Sequence, residues 1–424
     1  MDPTRNVQTS PGHAEKVFTF LLLLCSTGAF TNLTFNAADG PEAGQGQAGM
    51  QLIWALLYAI VVILLFRKCK KALKEAFREH LLWALMLLPL ASTIWSDSPA
   101  VSLRRGIALL LTCAFGIYLT ARYSLSQQIR LLASVCGLSV LLSYPFGLLG
   151  LGTPSEEFES AWYGIFAHKN DLGRMMALSI VVFLLLTRID PAKKAVLWTG
   201  ISLAFVLLLL SQSSTALVAL AAMIAVFPFC RAIIRDRHGV ARASIFGCVV
   251  LVAGVYWASN NFKDVLAFFG RDITLTGRLP LWILSIVMAI RRPWLGYGYN
   301  AFWLGPGSPS ERIWSLMAWH PPHAHNGLIE LWLELGMLGV GLFLTGFFVY
   351  AFRAVRFLQS NGGAELIWPL VFLVLLVLTN ITEVTILSRN NIFWILYTAV
   401  AFTVSPRNRR YERLAALTRP GLYA

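Results

Sequence analysis

The sequence predicts an all-α polytopic membrane bundle of about twelve transmembrane helices, forming one integral membrane domain over 1–424, and three observations predict it. The 424 residues are 57% hydrophobic and 13% charged, with a mean hydropathy of +0.65, whereas a water-soluble domain carries about a quarter charged residues. The apolar residues fall in blocks of roughly 17 to 22, the length that crosses a hydrocarbon core. The lysines and arginines behind the net charge of +14 cluster in short loops between those blocks. That is the pattern that orients membrane helices, and it argues against a nucleic-acid-binding face.

Twelve spans are expected, at about 17–34, 50–66, 80–96, 103–121, 130–150, 172–187, 195–211, 214–234, 242–258, 327–351, 365–387 and 391–405. The first follows Arg5 and Lys16 as a signal peptide would, but no small-x-small cleavage site follows Leu24, so it is read as a span. With both termini on the cytoplasmic side, 24 of the 35 lysines and arginines fall inside, as the positive-inside rule requires. Loops 35–49, 97–102, 151–171, 259–326 and 384–390 then face outward. The six cysteines lie in spans or inward loops, with no CxxC pair, which excludes an external disulfide framework and gives no metal-binding signature.

Loop 259–326 is unlike the others, at 68 residues; connections of that length are usually functional. It contains a helix candidate at 279–291, with Pro280 in the first turn and Pro293 beyond the end. At about 13 residues that helix is too short to span. It either lies at the interface or packs back on the bundle.

The loop closes with Trp319-His320-Pro321-Pro322-His323-Ala324-His325-Asn326, directly before the tenth span. Asn326 suits the N-cap position, which places His325 at the outer membrane face. An imidazole with an ordinary pKa of about 6.5 can take a proton from a hydroxyl at neutral pH; alternatively His325 only bonds loop backbone. Three histidines within six residues raise the question of zinc. No cysteine or acidic residue stands beside them in sequence, so no metal is expected.

Outward basic residues are the second signal, because positive-inside selection works against them. Arg278 stands just ahead of the short helix, after Gly277. Arg104 and Arg105 begin span four, Lys169 and Arg174 begin span six, and Arg291 and Arg292 end the short helix. Arginine suits phosphate through bidentate bonds, while snorkelling to headgroups is the plainer reading for Arg291 and Arg292. Glu330 and Glu334 lie one turn apart on span ten, where a carboxylate is a functional candidate or an arginine's partner. Ser211-Gln212-Ser213-Ser214-Thr215 forms a polar outward turn suited to anionic oxygen, or simply a turn. Gly296-Tyr297-Gly298-Tyr299 and Phe302-Trp303 suit either sugar stacking or an interfacial aromatic belt.

Three stretches resemble the bacterial O-antigen ligase and O-antigen polymerase superfamily. They are Gly164-Ile165-Phe166-Ala167-His168-Lys169-Asn170, Leu275-Thr276-Gly277-Arg278, and His323-Ala324-His325-Asn326 with Glu330 and Glu334-Leu335-Gly336. Adding Pro293-Trp294-Leu295-Gly296-Tyr297-Gly298 and Phe302-Trp303, the set most resembles the exopolysaccharide polymerases within it. The likeness is strongest from about 160 to 340. It implies a GT-C-like glycosyltransferase of the inner membrane, with its active site on the periplasmic face, working without metal or cofactor. The implied donor is a glycan on undecaprenyl diphosphate and the implied acceptor a sugar hydroxyl, either on another repeat unit (a polymerase) or on lipid A–core (a ligase). Membrane lipids and other polysaccharide-export proteins are the implied partners, with no nucleic acid.

By the same resemblance His325 is the catalytic base, Arg278 holds the diphosphate, and His168, Lys169 and Asn170 line the donor pocket. His323, Glu334, Glu330, Ser213 and Arg174 are secondary candidates. One departure matters: many ligases have an arginine in the serine-rich turn where this chain has Ser214, and Arg104 or Arg105 is the expected substitute. A twelve-helix secondary transporter is the competing class. It predicts two related halves, and neither His-Asn nor the Leu-Thr-Gly-Arg motif recurs in the first half.

Overall fold

The computed structural model describes residues 11–30, 43–151, 161–235, 277–360 and 363–406. Every regular element among them is a helix: α1 His13–Ser26, α2 Ala43–Lys68, α3 Lys70–Ala76, α4 His80–Ala91, α5 Pro99–Arg122, α6 Leu125–Leu148, α7 Lys169–Ile189, α8 Lys194–Leu210, α9 Ser214–Arg235, α10 Arg278–Arg291, α11 Glu311–Trp314, α12 Gly327–Ser360, α13 Trp368–Thr382 and α14 Ile392–Thr403. Seven helical segments are long and apolar enough to cross a membrane, and the shorter apolar helices 80–94, 214–230 and 392–403 add to them. The expected ninth span, 242–258, lies outside the described residues.

Several expected spans end elsewhere, α4 at Ala91 rather than 96 and α12 at Ser360 rather than 351 among them, and two stop early for a local reason. Helix α1 stops at Ser26 rather than running to 34, because Gly28 follows at φ +78° and a left-handed glycine closes a helix. The Thr27 hydroxyl completes the stop by donating to Leu24 O and accepting the Ala29 N–H. Helix α13 ends at Thr382 rather than 387. The Asn380 carboxamide oxygen takes the N–H groups of Thr385 and Ile386 at 2.9 and 3.2 Å, bonds that a continuing helix would need for itself. Glu383 therefore leaves the helix in an extended conformation.

The chain divides into two compact units. The first comprises residues 1–80, 110–220 and 389–424. Here α6, α7 and α8 pack side by side and α1 lies on α6. Small residues permit close approach: a Cβ on Gly116 would stand 2.7 Å from Ile395 O, and one on Gly173 would stand 2.6 Å from the Ser213 Cβ. Buried Glu15 ties α1 down. It receives Arg122 Nε and Nη2 at 2.7 and 3.0 Å, Lys68 Nζ at 2.7 Å and the Tyr118 hydroxyl at 3.0 Å, a bidentate pair with two further donors.

The second unit comprises 81–109 and 221–388. Its described loop residues carry a core of their own: Leu281, Met288, Ala289, Tyr297, Phe302, Ile313, Ala324 and Leu333 are all buried together. The short helix expected at 279–291 is present as α10, one residue longer, and it packs on α12. Helix α12 breaks at Gly336 (φ 66°, ψ −169°), which frees carbonyls on one side and N–H groups on the other. Tyr297 and Gly298 N–H donate to Leu333 O and Glu334 O, while Met337 and Leu338 N–H donate to Pro293 O and Trp294 O. The Gly-aromatic stretch thus acts as a splice across the broken helix. Both glycines are required by the contact, since a Cβ on Gly336 would lie 2.1 Å from Trp294 O and one on Gly296 2.5 Å from Leu333 O.

Candidate active site

His325 is placed by a turn in which each neighbour is fastened. Asn326 caps α12 as expected, its Oδ1 accepting the N–H groups of Leu328 and Ile329 at 3.0 and 3.1 Å. Ala324 is held from both sides: its N–H donates to Glu330 Oε2 at 2.8 Å, and its carbonyl accepts Trp282 Nε1 at 3.0 Å. The second partner of Glu330 Oε2 is Trp303 Nε1 at 3.0 Å. Between these anchors His325 takes φ +48°, a conformation uncommon outside glycine and costly unless the surroundings enforce it. Its own N–H donates to His323 Nδ1 at 3.1 Å.

The imidazole faces Glu383, a residue not among the expected site residues. Glu383 Oε2 lies 3.6 Å from His325 Nδ1, and Glu383 Oε1 accepts Arg278 Nη2 at 3.1 Å. All three side chains are partly buried, at 16–18% exposure, so the charges are only partly screened. The structure thus brings together Arg278, His325 and Glu383, with His323 alongside at a ring-centroid distance of 4.1 Å. Arg278 is the first residue of α10, released by Gly277 at φ +77°; Leu275 and Thr276 of the same motif lie outside the described residues.

Glu383 escaped the sequence reading because the apolar run carries it inside the expected span 365–387. The available signal was Asn380, an amide near the end of that run and five residues from a threonine.

His323, His325 and Glu383 offer donor atoms within 4.8 Å of one another. The carboxylate absent from the sequence neighbourhood is therefore supplied by the fold. Two of these groups are already engaged, while His325 Nδ1 has no hydrogen-bond partner among the described residues. His323 Nδ1 accepts a backbone N–H, which leaves the ring proton on Nε2, and one Glu383 oxygen is held by arginine.

Of the other cations expected to face outward, Arg105 and Arg292 have separate partners in this unit. Arg105 Nη1 donates to Asn300 O at 3.1 Å, and Asn300 in turn donates its N–H and Nδ2 to buried Glu334 Oε1 at 3.0 and 2.7 Å. Arg104 is exposed. Arg292 pairs with Asp97 at 2.6 Å and lies 4.7 Å from the Tyr297 ring centroid. Burial pushes the Tyr297 phenol's pKa above its ordinary value, and its hydroxyl donates to Met288 O. Glu330 and Glu334, expected as functional carboxylates or arginine partners, both brace the loop through N–H donors.

The remaining candidates belong to the first unit. His168 caps α7, its Nδ1 accepting the Asn170 N–H at 3.2 Å. Lys169 is buried, and Asn170 Oδ1 accepts the buried Ser213 hydroxyl at 3.2 Å. Arg174 pairs with Asp171 and lies 4.9 Å from the Phe393 ring centroid. The His-Lys-Asn stretch and the serine-rich turn are thus joined through the Asn170–Ser213 side-chain bond.

Comparison with known proteins agrees with these motifs. The family described as O-Antigen ligase matches residues 199–344, which include Arg278 and His325. The "Exopolysaccharide production protein ExoQ" of Rhizobium meliloti (strain 1021) is 31% identical over 355 residues, covering 78% of this chain and 79% of the relative.

Proposed function

We infer the reaction from one premise: the chain belongs to the O-antigen ligase and O-antigen polymerase superfamily. It is proposed to be an inner-membrane glycosyltransferase that moves a glycan from undecaprenyl diphosphate to a sugar hydroxyl at the periplasmic face. The observation that carries the reading is the array Arg278–Glu383–His325.

In that reaction the acceptor hydroxyl oxygen attacks the anomeric carbon of the donor sugar, and the bond from that carbon to the phosphate oxygen breaks. The acceptor's proton passes to His325 Nε2, and the lipid diphosphate leaves with the bonding pair. Glu383, on the Nδ1 side, holds the ring's orientation and stabilises the imidazolium as it forms, the role a carboxylate plays behind any base-activated nucleophile. The 3.6 Å gap exceeds a hydrogen bond and is expected to tighten once the ring is protonated. Arg278 faces the charge that develops on the leaving diphosphate, where preorganised cations contribute most. The committed lone pairs at His323 and Glu383 favour a reaction without metal.

A polymerase reading is favoured by the relative's name, which refers to exopolysaccharide production. The ligase alternative is favoured by the family description over 199–344. Purified protein given only the lipid-linked repeat unit, in EDTA, tests the choice. A ladder of longer glycans is expected of a polymerase; transfer only when lipid A–core is supplied would establish the ligase.

A further inference from the structure

Six tryptophans lie in or beside the loop around His325; four are committed to its architecture, and a fifth, Trp294, lies 73% exposed. Trp282 Nε1 donates to Ala324 O, Trp303 Nε1 to Glu330 Oε2, Trp314 Nε1 to Pro321 O and Trp332 Nε1 to Pro293 O, all at 3.0–3.1 Å. Trp319 differs. Its indole N–H has no hydrogen-bond partner among the described residues, and the side chain is 38% exposed. Its ring centroid lies 5.7 Å from that of His325. Its Nε1 would stand 3.7 Å from a Cβ on Gly277, the residue just before Arg278. A partly exposed indole whose donor has no partner among the described residues therefore lies beside both the proposed base and the start of the arginine helix.

We propose that Trp319 is the sugar platform of this site and takes the pyranose ring of the acceptor glycan. The inference rests on the glycosyl-transfer reading above and names a subsite within it. A pyranose presents C–H bonds on one face and hydroxyls around its rim. The negative face of an aromatic ring attracts the positive C–H edge, and an indole adds an N–H that suits a hydroxyl. The acceptor is assigned rather than the donor because its hydroxyl must come within about 3 Å of the His325 imidazole. A ring stacked on the neighbouring indole meets that requirement. An interfacial-belt role, the usual reason for an exposed membrane-protein tryptophan, fits Trp294 better. That residue is 73% exposed and is engaged through its backbone in the splice across α12.

The test uses the purified full-length protein with a saturating lipid-linked donor whose own acceptor hydroxyl is replaced by hydrogen, so that it can give its glycan but not receive one. The acceptor is titrated as the oligosaccharide repeat unit released from the donor lipid. Trp319→Ala is expected to raise the acceptor KM about tenfold, corresponding to 1.4 kcal/mol, with kcat and donor KM changed less than about threefold. Trp319→Phe should recover most of the loss. An unchanged acceptor KM, or an equal rise in donor KM, overturns the proposal. Saturation-transfer NMR with the same oligosaccharide separates this from the catalytic reading. His325→Ala should abolish turnover yet keep the oligosaccharide signal, and the double variant His325→Ala/Trp319→Ala should lose it. Signal retained in the double variant overturns the platform, whereas turnover retained in His325→Ala overturns the base alone.

Discussion

Glu383 Oε2 stands 3.6 Å from His325 Nδ1 while its other oxygen accepts Arg278 Nη2 at 3.1 Å. One carboxylate therefore links the proposed base to the proposed phosphate cation, from a helix end 58 residues beyond His325 in sequence. If it orients the imidazole, Glu383→Gln should fold normally and lower kcat by about a hundredfold or more, as loss of a general-base function does. The acceptor KM should hardly change. Steady-state kinetics with both substrates checks this; a Gln variant with wild-type kcat would show that the carboxylate only anchors Arg278.

Glu330 is expected to act on catalysis through His325 without touching substrate. It accepts the Ala324 N–H and Trp303 Nε1 from a buried position, so Glu330→Ala leaves two donors unsatisfied at about 1–3 kcal/mol each. Melting in detergent should register the loss, and kcat should fall with it. Glu330→Gln, which keeps an acceptor oxygen, should restore part of both.

The glycines at the splice make a sharper stability prediction. Gly336→Ala must place a Cβ 2.1 Å from Trp294 O at a left-handed φ, and the backbone strain alone costs about 1–3 kcal/mol. Thermal unfolding should show a clear drop in Tm, with Gly341→Ala, where a Cβ meets nothing within 4 Å, as the neutral comparison on the same helix.

A different kind of loss is expected in the first unit. Glu15→Ala strands Arg122, whose side chain is 2% exposed, and removing one partner of a buried pair costs about 3–5 kcal/mol. The yield of folded protein after detergent extraction should fall steeply, and the double variant Glu15→Ala/Arg122→Met should recover much of it.

The sequence was informative wherever the physics is local. Apolar block length located most of the spans, and Pro280 and Pro293 bracketed α10 within one residue. Asn326 was legible as a cap because the N-cap is a short-range requirement. Glu383 was not legible, because whether an apolar run ends at 382 or 387 depends on the Asn380 side chain competing for backbone. The splice at Gly336 was likewise hidden: Glu334-Leu335-Gly336 and Pro293-Trp294-Leu295-Gly296 each read as separate motifs, and only tertiary pairing explains why both need glycine. The zinc question also changed character, since the carboxylate missing beside the histidines in sequence is brought to them by α13's early end.

The central claim is that His325 takes the acceptor's proton in a metal-independent glycosyl transfer. The direct measurement is the kcat of purified wild type and His325→Ala on lipid-diphosphate-linked glycan, each with EDTA and with added zinc. The account predicts full wild-type activity in EDTA and a loss of about 100-fold or more in the variant. Activity that survives His325→Ala, or wild-type activity that EDTA abolishes and zinc restores, would contradict it.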